Sequence, residues 1–590
     1  MPYKSDFPPV EVANEPYPLR LLSAIWEHFS ECPERIALIN SKNPNNDFVT
    51  YGELYLFSLA TAAFLQNKGF SRDDVACLVL QNCWEYVPIF LGIGLQGGAT
   101  SGANPYFTEM NNSFLKEKKD LDGWDRELLH QFNESNAKIV FCSEQSLNNV
   151  INAVKSVETV KLIVLVECGY SKKPLIYTEN HFPVGVIHFG QIIRTEPLIN
   201  TKITLMNCNP EKDILLLPFS SGTTGSPKGV LISHQNVGTM LNILIEHFRN
   251  YIHSYMRPIF IEKKENELLL LPFFHCYGFC MLQSCLLNGS TGLVMAGFDP
   301  ILFCETIENF KIRLLKTVPP ILVFLAKNPI VSNYDLSSLH VIFSGAAPAG
   351  SDLCEEVMYR LPNIQHICQG MKIILVCYGM TELTVASHFP VLDKQRYKST
   401  GKLLSNLEMK IIEINSNNEV EVEKGMPGEL FLRGPTIMLG YLNKPEETSK
   451  ILNSDGWLRT GDVVYVDNEG FIHVLDRLKE LIKVNGLQVA PAELEDLLLS
   501  HPDIVDCAVI GISDPMAGEL PYAFIVPREG GSLTEENVKE FVKAKAVYYK
   551  QLKGGVEFID KIPKSPSGKI LRRLLREKLT NKENKLISKI

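Results

Sequence analysis

At 590 residues the chain is too long for a single hydrophobic core and predicts two or more domains. With 45% hydrophobic and 21% charged residues it is ordinary globular material, and a formal net charge of -9 argues against nucleic acid as a partner. The 14 cysteines form no regular framework or paired CxxC set, and the charged, proline-broken opening MPYKSDFPPVEV is no secretory signal, so free thiols in a reducing compartment are expected.

In chain order, Leu21–Phe29 reads as a helix, Ile36–Asn40 as a strand, Leu54–Phe64 as a helix, Asp74–Leu80 as a strand and Trp84–Leu95 as a buried helix. That alternation predicts a layered α/β domain with a substantially parallel sheet. Asn111–Arg126 is charged and contains an Asp-Gly turn, as a surface excursion would. Ala137–Cys142 and Val160–Val166 are further strands.

Leu216–Val230, LLPFSSGTTGSPKGV, sets a Ser/Thr/Gly loop between a strand at Ile214–Pro218 and a second at Val230–Ser233. Glycines let backbone N–H groups converge on a ligand, hydroxyls donate to phosphate oxygens, and Lys228 brings a compact positive charge. The loop suits a polyphosphate clamp. It is not a Walker loop, because Pro227 precedes the lysine and a strand rather than a helix follows.

Leu268–Phe298 carries no Asp, Glu, Lys or Arg and is long enough to span a bilayer. Its proline, histidine and glycines cut it into strand, loop, helix and strand, so a buried soluble element is expected. Within it His275 stands at a glycine-bearing turn, where composition alone makes it a satisfied core residue. Leu339–Phe343 is a strand leading into Gly345-Ala346-Ala347, and Tyr378–Glu382 reads YGMTE. The short strands Lys410–Ile414, Gly428–Arg433 and Gly470–Leu475 suggest a small antiparallel or barrel-like subdomain, with Asp462 on a turn within it. Beyond Asp476 come a helix opened by Pro491, strands at Val505–Ile510 and Tyr522–Val526, and a helix at Glu535–Lys545. Lys561–Ile590 holds ten basic and two acidic residues, and Lys569 follows a Ser-Pro-Ser-Gly run within it.

The phosphate-loop string, YGMTE, the Thr460-Gly461-Asp462 turn, the Asp476–Glu480 segment and the glycine-preceded Lys569 together resemble the adenylate-forming superfamily, which includes acyl-CoA synthetases, coumarate–CoA ligases and firefly luciferase. The resemblance covers nearly the entire chain. It implies a large N-terminal α/β domain at 1–475, built of two layered sheets plus a small β-barrel, and a smaller mobile C-terminal α+β domain at 476–590. It further implies an ATP-dependent acid–CoA ligase that makes an acyl-adenylate and then a thioester, with ATP, Mg²⁺ and coenzyme A.

On that resemblance Lys569, His275 and Lys483 are the catalytic residues, and Tyr277, Gly278 and Phe279 shape the acid pocket. ATP would be held by Ser220, Ser221, Gly222, Thr223, Thr224, Gly225, Lys228, Gly345, Ala346, Ala347, Gln369, Gly370, Tyr378, Gly379, Thr381, Asp462, Arg477 and Lys479. Glu382 and Thr223 would serve the metal, Asn485 and Gly486 coenzyme A, and Asp476 the hinge. Four departures stand out. Asn111–Arg126 intervenes where relatives run from the Asn-Pro-Tyr turn within a few residues into a helix like Glu127-Leu128-Leu129-His130. Met371–Cys377, MKIILVC, separates Gln369-Gly370 from Tyr378; many relatives have lysine where this chain has Asn485; and the arginine of light-emitting relatives is missing from His234–Met240. A luciferase-type oxygenase, or a non-catalytic binder disabled by MKIILVC, are the alternatives. Ser588-Lys589-Ile590 differs from the peroxisomal address Ser-Lys-Leu by one branched methyl position, which makes a peroxisomal import receptor an expected partner.

Overall fold

A computed structural model describes residues 2–105, 123–169, 172, 185–197, 207–220, 227–345, 351–366, 374–391, 399–414, 419–485, 487–528, 533–564 and 569–587. The N-terminal region is built on layered sheets. The largest has nine strands, and from Ile214–Leu216 through Ala99–Gly102, Val75–Val79, Ala137–Ser143 and Leu162–Val166 to Val186–His188 its neighbours run parallel. Lys228–Ser233 joins antiparallel to Ile214–Leu216 and also carries Phe219–Ser220 and Gly440–Tyr441. A second sheet pairs Asn266–Leu269, Thr291–Val294 and Ile36–Asn40 in parallel, with Phe48–Thr50 added antiparallel.

Helices cover these sheets for reasons visible in the chain. All ten residues of Tyr86–Leu95 are buried, as an all-round apolar helix requires. Tyr51–Asn67 starts at a capping box of Thr50 and Glu53, which satisfies two otherwise unpaired backbone donors. The uncharged stretch resolves into Asn266–Leu269, a loop, the 13-residue helix Cys276–Asn288 and Thr291–Val294. Among the described residues no helix is long and apolar enough to cross a membrane. The surface excursion at 111–126 lies outside the described residues up to 122, and the helix Gly123–Glu134 takes up its end.

Leu314–Thr317, Val341–Ser344 and Ile374–Val376 form a parallel three-stranded sheet. Part of the MKIILVC segment is therefore a paired strand that leads directly to Tyr378. The barrel-like subdomain is a five-stranded antiparallel sheet in the order Tyr3–Lys4, Glu408–Ile412, Gly428–Arg433, Leu458–Val466, Ile472–Arg477. Its Ile472 edge is met by backbone hydrogen bonds with Thr400 and Gly401.

Thr460-Gly461-Asp462 is not on a separate turn, as the sequence suggests, but inside strand Leu458–Val466. Glu429 pairs with Val463 and Phe431 with Arg459, so a two-residue step on one strand faces a four-residue step on the other. The extra residues form a bulge at Gly461, whose φ of 72° suits glycine.

Past Arg477 a separate sheet runs Leu487–Val489, Ile482–Val484, Gly518–Pro527, Ile504–Asp514, with Gly555–Phe558 parallel to Gly518–Pro527. Alternation along the long hairpin fills both faces. Cys507, Val509, Ala523 and Ile525 pack in the cluster that includes Leu494, Leu498, Val538 and Val542 of the helices Pro491–Leu499 and Glu535–Lys545. Ala508, Ile510 and Phe524 pack with Leu575 of Arg572–Ile587. Asp476 and Arg477 end the last strand of the preceding sheet, so the division expected at 475/476 falls within that strand.

One buried ion pair ties this unit together. Arg572 donates through Nη2 to both Glu495 carboxylate oxygens, at 2.7 and 2.8 Å, and Glu495 also accepts the Val509 amide at 2.8 Å. Arg572→Met leaves a carboxylate without its counter-charge in a site that is 8% exposed. The expected loss is about 3–5 kcal/mol. Hydrogen exchange at the Val509 amide checks it: protection should fall in the variant while that of Val75–Val79 holds.

Candidate active site

Several of the side chains singled out along the chain meet around Tyr378, just past the parallel strand Ile374–Val376. Tyr378 follows strand Ile374–Val376 and donates its hydroxyl to Asp462 Oδ2. Asp462 rides the bulge and lies directly across from Arg477 in the ladder, whose Nε approaches Oδ1 at 3.1 Å. Both carboxylate oxygens are thus engaged on a residue that is 4% exposed. Burial, then the Asp462 charge, push the Tyr378 hydroxyl well above its ordinary pKa, so it remains a donor. Gly379 has to be glycine, because a Cβ there would lie 1.8 Å from the Val385 carbonyl oxygen.

Glu382, on the same motif, is also buried. Its Oε1 accepts from Ser220 Oγ at 3.1 Å and from Tyr441 Oη at 2.9 Å. Lys228 lies 5.0 Å over the Tyr441 ring and pairs with Glu447 Oε2 at 2.5 Å. The side chains of Glu447, Tyr441 and Ser220 thus connect the phosphate-loop strand to the YGMTE motif. Tyr441 and Glu447 escaped sequence reasoning, which had no local signal for contacts made over such separations.

His275 stands at the expected turn, its amide donating to the Pro272 carbonyl oxygen at 3.1 Å. It is the N-cap of helix Cys276–Asn288, and its Nδ1 accepts the Tyr277 amide at 3.3 Å. That bond satisfies one of the helix's orphan donors. It faces a cavity of about 520 Å³, including the space opening to solvent, which Cys276, Tyr277, Gly379, Thr381 and Lys569 also line. Gly278 and Phe279 do not line it; Phe279 packs edge-on against Phe90 in the core. Cys377, the last residue of MKIILVC, does. Gly345 sits against Tyr277 and Cys377, where a Cβ would come within 2.9 Å of the Cys377 sulfur.

Lys569 reaches this cavity from the far end of the chain. Its side chain is exposed, yet the protein packed around it lowers its pKa, first by desolvation and then through the Arg477 guanidinium. The Glu382 and Asp462 charges act in the opposite direction.

Lys483 and Asn485 are exposed on the hairpin Ile482–Val484/Leu487–Val489, away from the cavity wall, and Lys479 is exposed as well. Asn485 has φ 51°, which asparagine tolerates better than most residues. Asp476 accepts the Arg477 amide at 2.6 Å and the Ala492 amide at 3.0 Å. A carboxylate thereby caps helix Pro491–Leu499, whose own N-cap, Ala490, has no side chain to do so. Ser221, Gly222, Thr223, Thr224, Gly225, Ala346, Ala347, Gln369, Gly370, Gly486 and the Ser588-Lys589-Ile590 terminus lie outside the described residues.

A single hard carboxylate beside a hydroxyl suits Mg²⁺, which takes one or two protein oxygens and completes its shell with phosphate and water. The residues around Glu382 fit that ion.

Residues 25–442 match the family described as AMP-binding enzyme, and residues 493–569 match its C-terminal domain. The chain is 35% identical over 585 residues to 4-coumarate:CoA ligase 1 of Petunia hybrida, covering 98% of this chain and 96% of that one. It is 36% identical to 4-coumarate–CoA ligase 2 of Nicotiana tabacum, with 98% and 97% covered. Among solved structures, the anthranilate CoA ligase AuaEII in complex with anthranoyl-AMP shares the fold with a TM-score of 0.78, at 21% identity over 97% of this chain and 98% of that one. ATP-bound MatB from Rhodopseudomonas palustris does so with a TM-score of 0.76, at 21% identity over 94% and 98%.

Burial makes the site and its surroundings acid-sensitive. It holds His275 at about 4, with Lys569 adding to the effect, and takes His234 and His247 to about 4 and His388 to about 3. Such rings bind a proton only after unfolding, so stability is full above about 6.5 and is lost as pH falls from 6.5 toward 4. Thermal unfolding across that interval should show a midpoint that drops steadily with acidification; a flat midpoint would contradict neutral, buried rings.

Proposed function

Because this chain belongs to the AMP-binding enzyme family, we propose that it is an ATP-dependent acid–CoA ligase. A carboxylic acid, fatty or aryl propenoic, attacks the α-phosphate of ATP to give acyl-AMP and pyrophosphate. The coenzyme A thiol then attacks the acyl carbonyl and AMP leaves. The observation that carries this reading is the meeting of Lys569 and His275 at one cavity, beside Asp462, Arg477 and Tyr378.

Adenylyl transfer depends on positioning and on fixed charges aimed at developing negative charge. Lys569 supplies such a charge between the acid and the α-phosphate. Neutral His275 lies beside the carboxylate without adding a second cation. Asp462 accepts the ribose hydroxyls, Tyr378 stacks on adenine, and Lys228 orients pyrophosphate. Glu382, with Thr223, would hold Mg²⁺, which neutralises phosphate charge when bound. For the thioester step, rotation about Asp476 would take Lys569 out and bring the Lys483–Asn485 hairpin to the cavity.

Two measurements test the reading. ATP–pyrophosphate exchange should respond to members of a panel of fatty and phenylpropenoic acids. Lys569→Ala should lower that exchange roughly a hundred- to thousandfold while leaving thiolysis of supplied acyl-AMP largely intact. Equal loss in both assays would defeat the two-step assignment of Lys569. We place the enzyme in the peroxisome through Ser588-Lys589-Ile590, and a reporter-tagged chain lacking those three residues should remain in the cytosol.

A further inference from the structure

A buried side chain outside the cavity wall holds the loop that delivers His275. Asn82 follows strand Val75–Val79 of the nine-stranded sheet and is 5% exposed. Its Nδ2 donates to the Leu271 carbonyl oxygen at 2.9 Å and to the Met295 carbonyl oxygen at 3.2 Å, and its Oδ1 accepts the Phe273 amide at 2.8 Å. Both N–H groups and the oxygen of the carboxamide are thus committed to backbone. Leu271 and Met295 lie just past Asn266–Leu269 and Thr291–Val294, which run parallel in the second sheet. One side chain therefore joins the strand ends of two sheets, and its acceptor bond falls two residues before His275. The mount is itself fixed: Trp84 Nε1 donates to Asp47 Oδ1 at 3.0 Å, and Glu85 Oε1 accepts the Gly169 amide at 2.8 Å. Phe273 packs edge-on against Tyr86, with ring centroids 5.7 Å apart. Gly102, the last residue of strand Ala99–Gly102, meets the same loop at Phe274. A Cβ on Gly102 would lie 2.8 Å from the Phe274 Cβ and 2.9 Å from its Cα.

We infer that Asn82 is a positioning residue for acid activation: by fixing the backbone of Leu271–Phe273 it sets where the His275 ring stands in the cavity. On the ligase reading above, on which this rests, neutral His275 lies beside the carboxylate of the acid. Neither Asn82 nor Gly102 lines the cavity, so each acts through the loop. Removing the carboxamide takes three bonds from buried backbone and frees the short link to His275. Misplacing a group at the reacting centre by about 1 Å costs on the order of a hundredfold in rate.

The test is ATP–pyrophosphate exchange with whichever of cinnamate, 4-coumarate and octanoate wild type uses best, read as kcat/KM for the acid and KM for ATP. It compares wild type, Asn82→Ala, His275→Ala and the double variant. Asn82→Ala should lower kcat/KM for the acid about a hundredfold and leave KM for ATP unchanged. In the His275→Ala background it should change kcat/KM little, because the ring it positions is already gone. A brace that merely joins two sheets would raise KM for ATP as well, or give losses that multiply in the double variant. Either result overturns the inference, as does a His275→Ala enzyme as active as wild type. Gly102→Ala displaces the same loop through Phe274 and serves where Asn82→Ala does not fold. It should show the same acid-specific loss, absent from the His275→Ala background; wild-type kcat/KM in folded Gly102→Ala would overturn the inference. These outcomes all leave the ligase reading standing. Should wild type exchange with none of the three acids, the ligase reading itself would fall.

Discussion

Asp462 is the constraint on which the site depends. Its carboxylate is buried, and burying a charge is costly unless it is paired and hydrogen-bonded. Arg477 and the Tyr378 hydroxyl meet that demand from two directions. Tyr378 comes from the end of a parallel strand, Arg477 from the last strand of the antiparallel sheet, and Asp462 from a bulge in the strand between. Satisfying one carboxylate thus fixes two sheets relative to each other. The same guanidinium then acts on Lys569, which arrives across the start of the next domain.

Local pattern made much of the fold legible. Ile36–Asn40, Gly428–Arg433 and Glu535–Lys545 have the bounds that their apolar runs and turn residues imply. In Trp84–Leu95 the run of apolar side chains announced a buried helix, and only its first turn differs. The uncharged Leu268–Phe298 stretch divides as its one proline and its glycines imply.

What escaped depends on pairing over long separations. The bulge at Gly461 exists because two strands differ in step length, and neither strand alone records this. His275 has no usual capping signature, since serine, threonine, aspartate and asparagine normally fill that role. Ser220 and Glu382 are 162 residues apart, and Lys228 and Glu447 are 219 apart. Such contacts belong to the folded sheet order. MKIILVC looked foreign to its motif, yet Ile374–Val376 pairs in register with Val341–Ser344 because three β-prone residues suffice to fill that edge.

On the role proposed for Lys228, its pair with Glu447 makes anion capture at this loop an exchange. Lys228 already has a carboxylate against it, and Glu447 is shared with Lys450 at 3.0 Å. An incoming phosphate therefore gains only the difference between two anionic partners, and it frees a glutamate whose side chain is 40% exposed to return to water. Lys450 remains on the same carboxylate to receive it. On the proposed reading of Lys228 as a pyrophosphate contact, Glu447 stands beside it as the counter-ion that takes its place when the anion leaves.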